Sequence, residues 1–248
     1  MEILRKKLTR TEFADYLSKK NFGSIPPTEI VLHHTWRPTK ESWKGASTID
    51  GLKRYYESLG WPVGPHIFVA EDGIWLFTDM AKVGIHAGTA NATWEKNGQL
   101  IGGYNVAGGT LKSYSVGVEI VGDYDEHVWE GETLKNALSC LASLKENLGI
   151  YNEGIKFHRD YSPKSCPGNA INRDWLAYKL TEYEQGNIPE SGYEFKFSKE
   201  EAQAAQRLGF LKQIDTEHRE ITAIGLYRVY KQIKKEARDG TLDNDITI

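Results

Sequence analysis

The feature that most constrains the fold is a short run, Glu29-Ile30-Val31-Leu32-His33-His34-Thr35, in which three adjacent apolar residues lead straight into two histidines. A strand covered on both faces reads as an unbroken apolar run, so this segment predicts a buried strand that ends at a polar site. Two further segments have the same character. Ser115–Gly122 (SVGVEIVG) is apolar except for Glu119, and Ile155-Lys156-Phe157-His158 is a short strand closing on another histidine. His66–Ala70 and Ile74–Phe77 flank Asp72-Gly73, a strong hairpin turn signal.

Helices alternate with these strands. Thr9 with Glu12 three residues on makes a capping box, and Phe13, Tyr16 and Leu17 then share one helical face. Gly23 and Pro26-Pro27 stop that helix. A second helix spans 47–59, with Ser47 or Thr48 as its cap and a face of Ile49, Leu52, Tyr56 and Leu59. A third spans 133–148 on a leucine-rich stripe ended by Gly149, and a fourth runs from Asn172 to Tyr183. Residues 84–110, rich in Gly, Asn, Ala and Thr, predict a long surface loop. Strict βαβ repetition is missing. The pattern therefore predicts an α/β fold with a single mixed central sheet flanked by helices.

Past Gly186 the character changes. The expected division is an N-terminal helix over 1–24 packed on the core, a catalytic domain over 25–186, a linker over 187–195 and a helical region over 196–248. Ser198 and Glu201 open its first helix, and Ile221, Ile224, Tyr227, Tyr230 and Ile233 mark a second. The appended helices are left open between binding a cell wall, forming a homodimer and packing on the core.

Composition narrows the function classes. The net charge is -3, which disfavours a non-specific nucleic-acid binder, and aromatics at 11% exclude a disordered chain. Two cysteines, Cys140 and Cys166, exclude a disulfide framework. No apolar run of about 7–15 residues follows the basic N-terminus, and none of about 18 stands anywhere. The expectation is a cytoplasmic protein with no membrane insertion.

The sharpest chemistry lies in His158-Arg159-Asp160-Tyr161-Ser162-Pro163-Lys164-Ser165-Cys166-Pro167-Gly168. It places an imidazole at a strand end and a thiol on a loop stiffened by two prolines. Zinc accepts imidazole nitrogen and thiolate sulfur, and a catalytic site needs three protein ligands with one position open. The His33-His34 strand end can supply the third. A buried cysteine beside a surface turn is the plain alternative. Lys164, two residues before the thiol, makes sense if it faces a substrate. Glu119 is the single ionisable residue in its strand: either a desolvated base or the outward side of an edge strand. The GGYNVAGG run (Gly102–Gly109) lacks the GK[ST] ending of a phosphate loop and precedes a strand. Cys140 sits on a leucine stripe and reads as core.

Taken together, HHT at 33–35, GPHI at 64–67, GIHAG at 84–88, SVGVEIVG at 115–122 and H-x5-K-x-C-PG at 158–168 occur in an order that resembles the zinc-dependent type 2 N-acetylmuramoyl-L-alanine amidases. Relatives in that family include phage lysins and peptidoglycan recognition proteins. The resemblance covers roughly residues 28–182. It implies one Zn2+ per chain held by His33, His158 and Cys166, with Glu119 and Lys164 catalytic. It also implies His34, His66 and His86 near the substrate groove, with structural hydrogen bonding or support of the metal ligands an equal alternative for His66 and His86. Trp94, with Trp43 and Trp61, is a candidate for stacking on sugar, although aromatic packing under loops is the commoner role for such residues. Where other members have a tyrosine before the hairpin histidine, this chain has Pro65, so Glu119 must serve as the base or the site is inactive.

The function implied is hydrolysis of the bond between N-acetylmuramic acid and L-alanine in peptidoglycan. The partner would be peptidoglycan, both glycan strand and stem peptide, with no nucleic acid. A phage or prophage endolysin, held in the cytoplasm until release to the wall, fits best. The alternatives are a non-cleaving peptidoglycan receptor and a cytoplasmic wall-recycling amidase.

Overall fold

The computed structural model describes residues 1–186, and Met1–Thr181 form one compact unit. The linker, the appended helices and their homodimer reading lie outside the described residues. The strands are β1 (Lys6–Leu8), β2 (Glu29–His34), β3 (Ile67–Ala70), β4 (Gly73–Leu76), β5 (Ala92–Lys96), β6 (Gln99–Gly102), β7 (Thr110–Ile120) and β8 (Ile155–Phe157). The helices are α1 (Arg10–Ser18), α2 (Ala46–Ser58), α3 (Gly131–Leu148) and α4 (Arg173–Glu184). The main sheet runs β1-β4-β3-β7-β2-β8, with β5 and β6 attached through the first half of β7. β2 pairs in parallel with both β7 and β8, and β3 is parallel to β7, whereas the β1·β4, β3·β4, β5·β6 and β5·β7 pairings are antiparallel. The sheet is mixed, as the sequence pattern predicts. No helix among the described residues is long and apolar enough to cross a membrane.

The middle of the sheet is covered on both sides, since every residue of β3 and β4 is buried. Ile49 of α2 packs with Phe68, Ala70, Trp75, Phe77 and Val121. Phe68 and Ala70 share one face of β3, which leaves the other for α3, packed against β3 and β4, with α1 beyond it. Burial of these side chains, at about 25 cal/mol per Å² of apolar surface, is what holds the layers together.

Several local expectations meet their physical reason here. The Thr9–Glu12 box closes in both directions, Thr9 N–H to Glu12 Oε2 at 2.8 Å and Glu12 N–H to Thr9 Oγ1 at 3.3 Å, and it anchors the buried Phe13 and Leu17. Gly149 ends α3 in the left-handed region, φ 64. The cap of α2 differs from expectation. Its N-cap is Gly45 at φ 55, not Ser47 or Thr48, and the Thr48 hydroxyl accepts from Lys44 N–H before the helix. A side chain at position 45 would stand 3.1 Å from the Trp75 ring, so glycine suits both the turn and the packing.

Three strands were not expected. The stretch 84–110 is not a plain loop, because β5 and β6 form a hairpin within it across Asn97-Gly98. Both turn residues have positive φ, 54 and 77, the signature of a type I′ turn. Before α1, Lys6–Leu8 adds an edge strand whose lysines face outward, a charged edge that resists pairing with other chains.

Candidate metal centre

Three strand ends converge. In β2·β7 the register pairs His33 with Glu119, and β7·β3 pairs Glu119 with Phe68, so these side chains share a sheet face. His158 follows the end of β8 directly. All lie at the C-terminal ends of parallel strands, where open α/β sheets gather their ligands.

Cys166 arrives on a loop held by one arginine. The Arg159 guanidinium donates to the carbonyls of Ser165 (2.8 Å), Gly168 (2.9 Å) and Ile171, while its backbone N–H donates to Cys166 O at 3.0 Å. Asp125 clasps the same loop, accepting from Ser165 Oγ and from Asn169 N–H. The thiol is thereby set against β2. His34 N–H donates to Cys166 Sγ at 3.4 Å.

His33, His158 and Cys166 offer ligand atoms that all lie within 4.8 Å of one another, and together they could hold a metal ion. The His33 and His158 Nδ1 atoms are 3.0 Å apart, and Cys166 Sγ is 3.7 Å from His33 Nδ1. Burial, then the neighbouring His86, His158 and Lys164, keeps His33 far below the usual imidazole range. Burial and Lys164 bring His158 down to about 4, so both rings are neutral and ready to donate a lone pair. Burial pushes the Cys166 thiol up to about 12, with His34 N–H and Lys164 opposing. A coordinated cation reverses that preference, since a ligating thiol is deprotonated outright.

Glu119 lies beside this cluster, its Oε1 3.9 Å from His33 Nδ1. Its side chain is 13% exposed, and burial raises its pKa to about 8 against the opposing charge of Lys164. Glu119 and Lys164 both line a cavity of about 1040 Å³ that also takes in His34, the three clustered residues and one side of α2.

The remaining expected site residues divide. His34 does line the cavity, although its Nδ1 already accepts from Tyr124 N–H. His86 borders it with both ring nitrogens engaged, by His33 Nε2 at 3.1 Å and Ser115 Oγ at 3.3 Å, so it supports the cluster and is not free for substrate. His66 does not reach the cavity. It is fully buried, accepts from Gly117 N–H at Nδ1 and donates to Lys82 O from Nε2. Trp94 sits on β5 with its indole N–H on Gly103 O, away from the cavity. Trp43 donates its indole N–H to Asp72 and packs against the core around Ile49 and Phe68, off the cavity wall. Trp61 is the one of the three expected tryptophans on the cavity wall.

Sequence reasoning missed Tyr55, Tyr56, Trp36 and Arg37, all on that wall. Tyr56 stacks on Trp61 (centroids 5.2 Å, 3° between planes) and meets Phe77 edge-on. Trp36 is 55% exposed at φ 53, with Arg37 over its ring at 5.3 Å. A bulky residue at positive φ is a genuine outlier, and such positions concentrate at functional sites.

Fold and site thus define an α/β protein with a candidate metal centre at the carboxyl ends of its parallel strands. The family profile of N-acetylmuramoyl-L-alanine amidase matches residues 23–169, and the chain belongs to that family. A search of curated protein sequences finds no match. Solved structures resembling it include the endolysin amidase LysCS from Clostridium intestinale, 20% identical over 63% of this chain and 85% of that one, TM-score 0.46. Drosophila PGRP-LB is 18% identical over 77% and 99%, TM-score 0.46. The Ph2119 endolysin from a Thermus scotoductus bacteriophage is 20% identical over 68% and 96%, TM-score 0.41. Membership rests on the family profile, not on these distant likenesses.

Proposed function

We propose that this protein is a zinc-dependent N-acetylmuramoyl-L-alanine amidase that cuts the amide between N-acetylmuramic acid and L-alanine in peptidoglycan. The observation that carries this reading is the His33–His158–Cys166 cluster opening, beside Glu119 and Lys164, into one cavity. The donor set fits zinc. Zn–N near 2.0–2.1 Å and Zn–S near 2.3 Å in a tetrahedron imply edges of roughly 3.3 Å and 3.6 Å. The separations found are 3.0 Å and 3.7 Å.

Zinc held there would polarise the scissile carbonyl and bring the pKa of a coordinated water toward about 7. The chain's own residues do the rest. Glu119, desolvated and near neutrality in its proton affinity, takes the proton of the attacking water and returns it to the departing alanine nitrogen. Lys164 presents a cation to the oxygen on which negative charge develops. Tyr55, Tyr56, Trp36 and Trp61 give a sugar or peptide an aromatic wall. The endolysin role, with cytoplasmic storage until release to the wall, belongs to this proposal, and fractionation of expressing cells tests it.

Digestion of purified peptidoglycan followed by mass spectrometry tests the activity. New L-alanine amino termini without new reducing sugar ends are expected. A wall left intact by zinc-loaded protein that still sediments with it would replace the enzyme with a receptor.

A further inference from the structure

We propose that His86 and Ser115 form a positioning relay that fixes His33 as its Nε2-protonated tautomer, so that the bare Nδ1 lone pair faces His158 and Cys166. The inference rests on the metal-site reading above and assigns residues that themselves bind neither metal nor substrate.

The relay is read from its far end. Ser115 Oγ lies 2.6 Å from the carbonyl oxygen of Ala90. A carbonyl cannot donate, so a contact that short requires the serine proton. Only lone pairs then remain on Oγ for His86 Nε2 at 3.3 Å, and His86 must donate there. The buried His86 ring meets only Ser115 and His33 at its two nitrogens, with no carboxylate there to hold a second proton, so its one proton is the one on Nε2 and its Nδ1 is bare. That nitrogen, 3.1 Å from His33 Nε2, can only accept, so the His33 proton sits on Nε2. His33 Nδ1 is consequently unprotonated, and it is the atom that meets His158 Nδ1 at 3.0 Å and Cys166 Sγ at 3.7 Å. One serine proton thus sets the state of a ring two residues away in the chain of bonds.

The scaffold holds the relay rigid. Asn91 Oδ1 accepts from both His86 N–H (2.9 Å) and Ala87 N–H (2.7 Å), clamping the turn that carries the ring. The ring lies over Gly117 so closely that a Cβ there would stand 2.5 Å from His86 Cγ. His86 and His33 meet edge to face, 5.2 Å between centroids and 88° between planes. Partners of this kind on a ligating histidine fix ring orientation, and losing one costs about 10–100-fold in metal affinity.

Two measurements test the proposal. In metal-free protein labelled with 15N-histidine, NMR should find His33 and His86 both protonated at Nε2. In zinc titrations against a chromophoric chelator, Ser115→Ala should bind about 10–100-fold more weakly than wild type, with little change in the melting temperature of the metal-free protein. Gly117→Ala, which displaces the His86 ring without removing any hydrogen-bonding side chain, should weaken zinc in the same direction. A His33 proton found on Nδ1, or a Ser115→Ala affinity within twofold of wild type, overturns the relay while wild-type zinc binding leaves the site reading intact. Wild-type protein that takes up no zinc overturns both.

Discussion

The Glu119 carboxylate stands 3.9 Å from His33 Nδ1, one strand away and in register with it. Parallel pairing of β2 with β7 brings the proposed base and a proposed metal donor from distant parts of the chain onto one face. Glu119→Gln keeps the shape and removes the base. Its kcat should fall by about 10²–10⁴-fold, the usual contribution of a positioned proton acceptor. Zinc content and melting temperature should match wild type. Turnover within threefold of wild type would move the base elsewhere.

Tyr56 is expected to matter where the hairpin offers only Pro65. Its ring is held by Trp61, Phe77 and the close approach of Gly64, and its hydroxyl has no hydrogen-bond partner among the described residues. Burial, with the charge of Glu119 nearby, holds the phenol above its ordinary range, so it is a donor at every working pH. Tyr56→Phe should lower kcat/KM about tenfold, the equivalent of one lost hydrogen bond of about 1.4 kcal/mol, without loss of fold by circular dichroism. An unchanged kcat/KM would reduce Tyr56 to packing.

Metal removal should loosen the fold. With free zinc at about 100 times Kd, binding adds about 2.7 kcal/mol, roughly 5–10 °C in melting temperature for a unit this size. Scanning calorimetry before and after chelation reads this directly. Cys166→Ser should bind zinc less tightly and show a smaller increment; a shift equal to wild type would exclude Cys166 as a ligand.

His66 sets an acid limit on stability. Burial lowers its pKa from 6.5 to about 4, with the Lys82 carbonyl opposing. The unfolded chain therefore takes up the proton first. The stability His66 contributes is complete above pH 6.5 and is lost as pH falls toward 4, by about 3 kcal/mol in all. In urea titrations of metal-free protein, the advantage of wild type over His66→Gln should shrink by about 2–3 kcal/mol between pH 7 and pH 4.5. Curves that stay parallel across that interval would show that His66 does not titrate there.

Much of this architecture was legible because local chemistry agreed with the final fold. The apolar runs ending in His33, Glu119 and His158 became three adjacent parallel strands, and Thr9–Glu12 and Gly149 bounded helices as their side chains require. The misses have physical causes. Asn97-Gly98 was present in the sequence, but glycines on both sides masked the hairpin it turns. Ile49, Leu52, Tyr56 and Leu59 read as one core stripe, yet only Ile49 is fully buried, and the other three line the cavity. His66 and Trp94 stand next to informative residues, but which side of a strand meets the cavity depends on long-range register, which no short segment encodes.

The spacing of the cluster also fixes an order of events. His33 lies on the first parallel strand to be synthesised, whereas Cys166 hangs on the loop stapled by Arg159, 133 residues later. Between them β7 must slot between β2 and β3. No nascent fragment that stops before Cys166 contains all three residues of the cluster. On the reading proposed above, metal capture waits for a chain whose last strand, β8, is already made, and a product truncated before Cys166 would lack one of the proposed ligands.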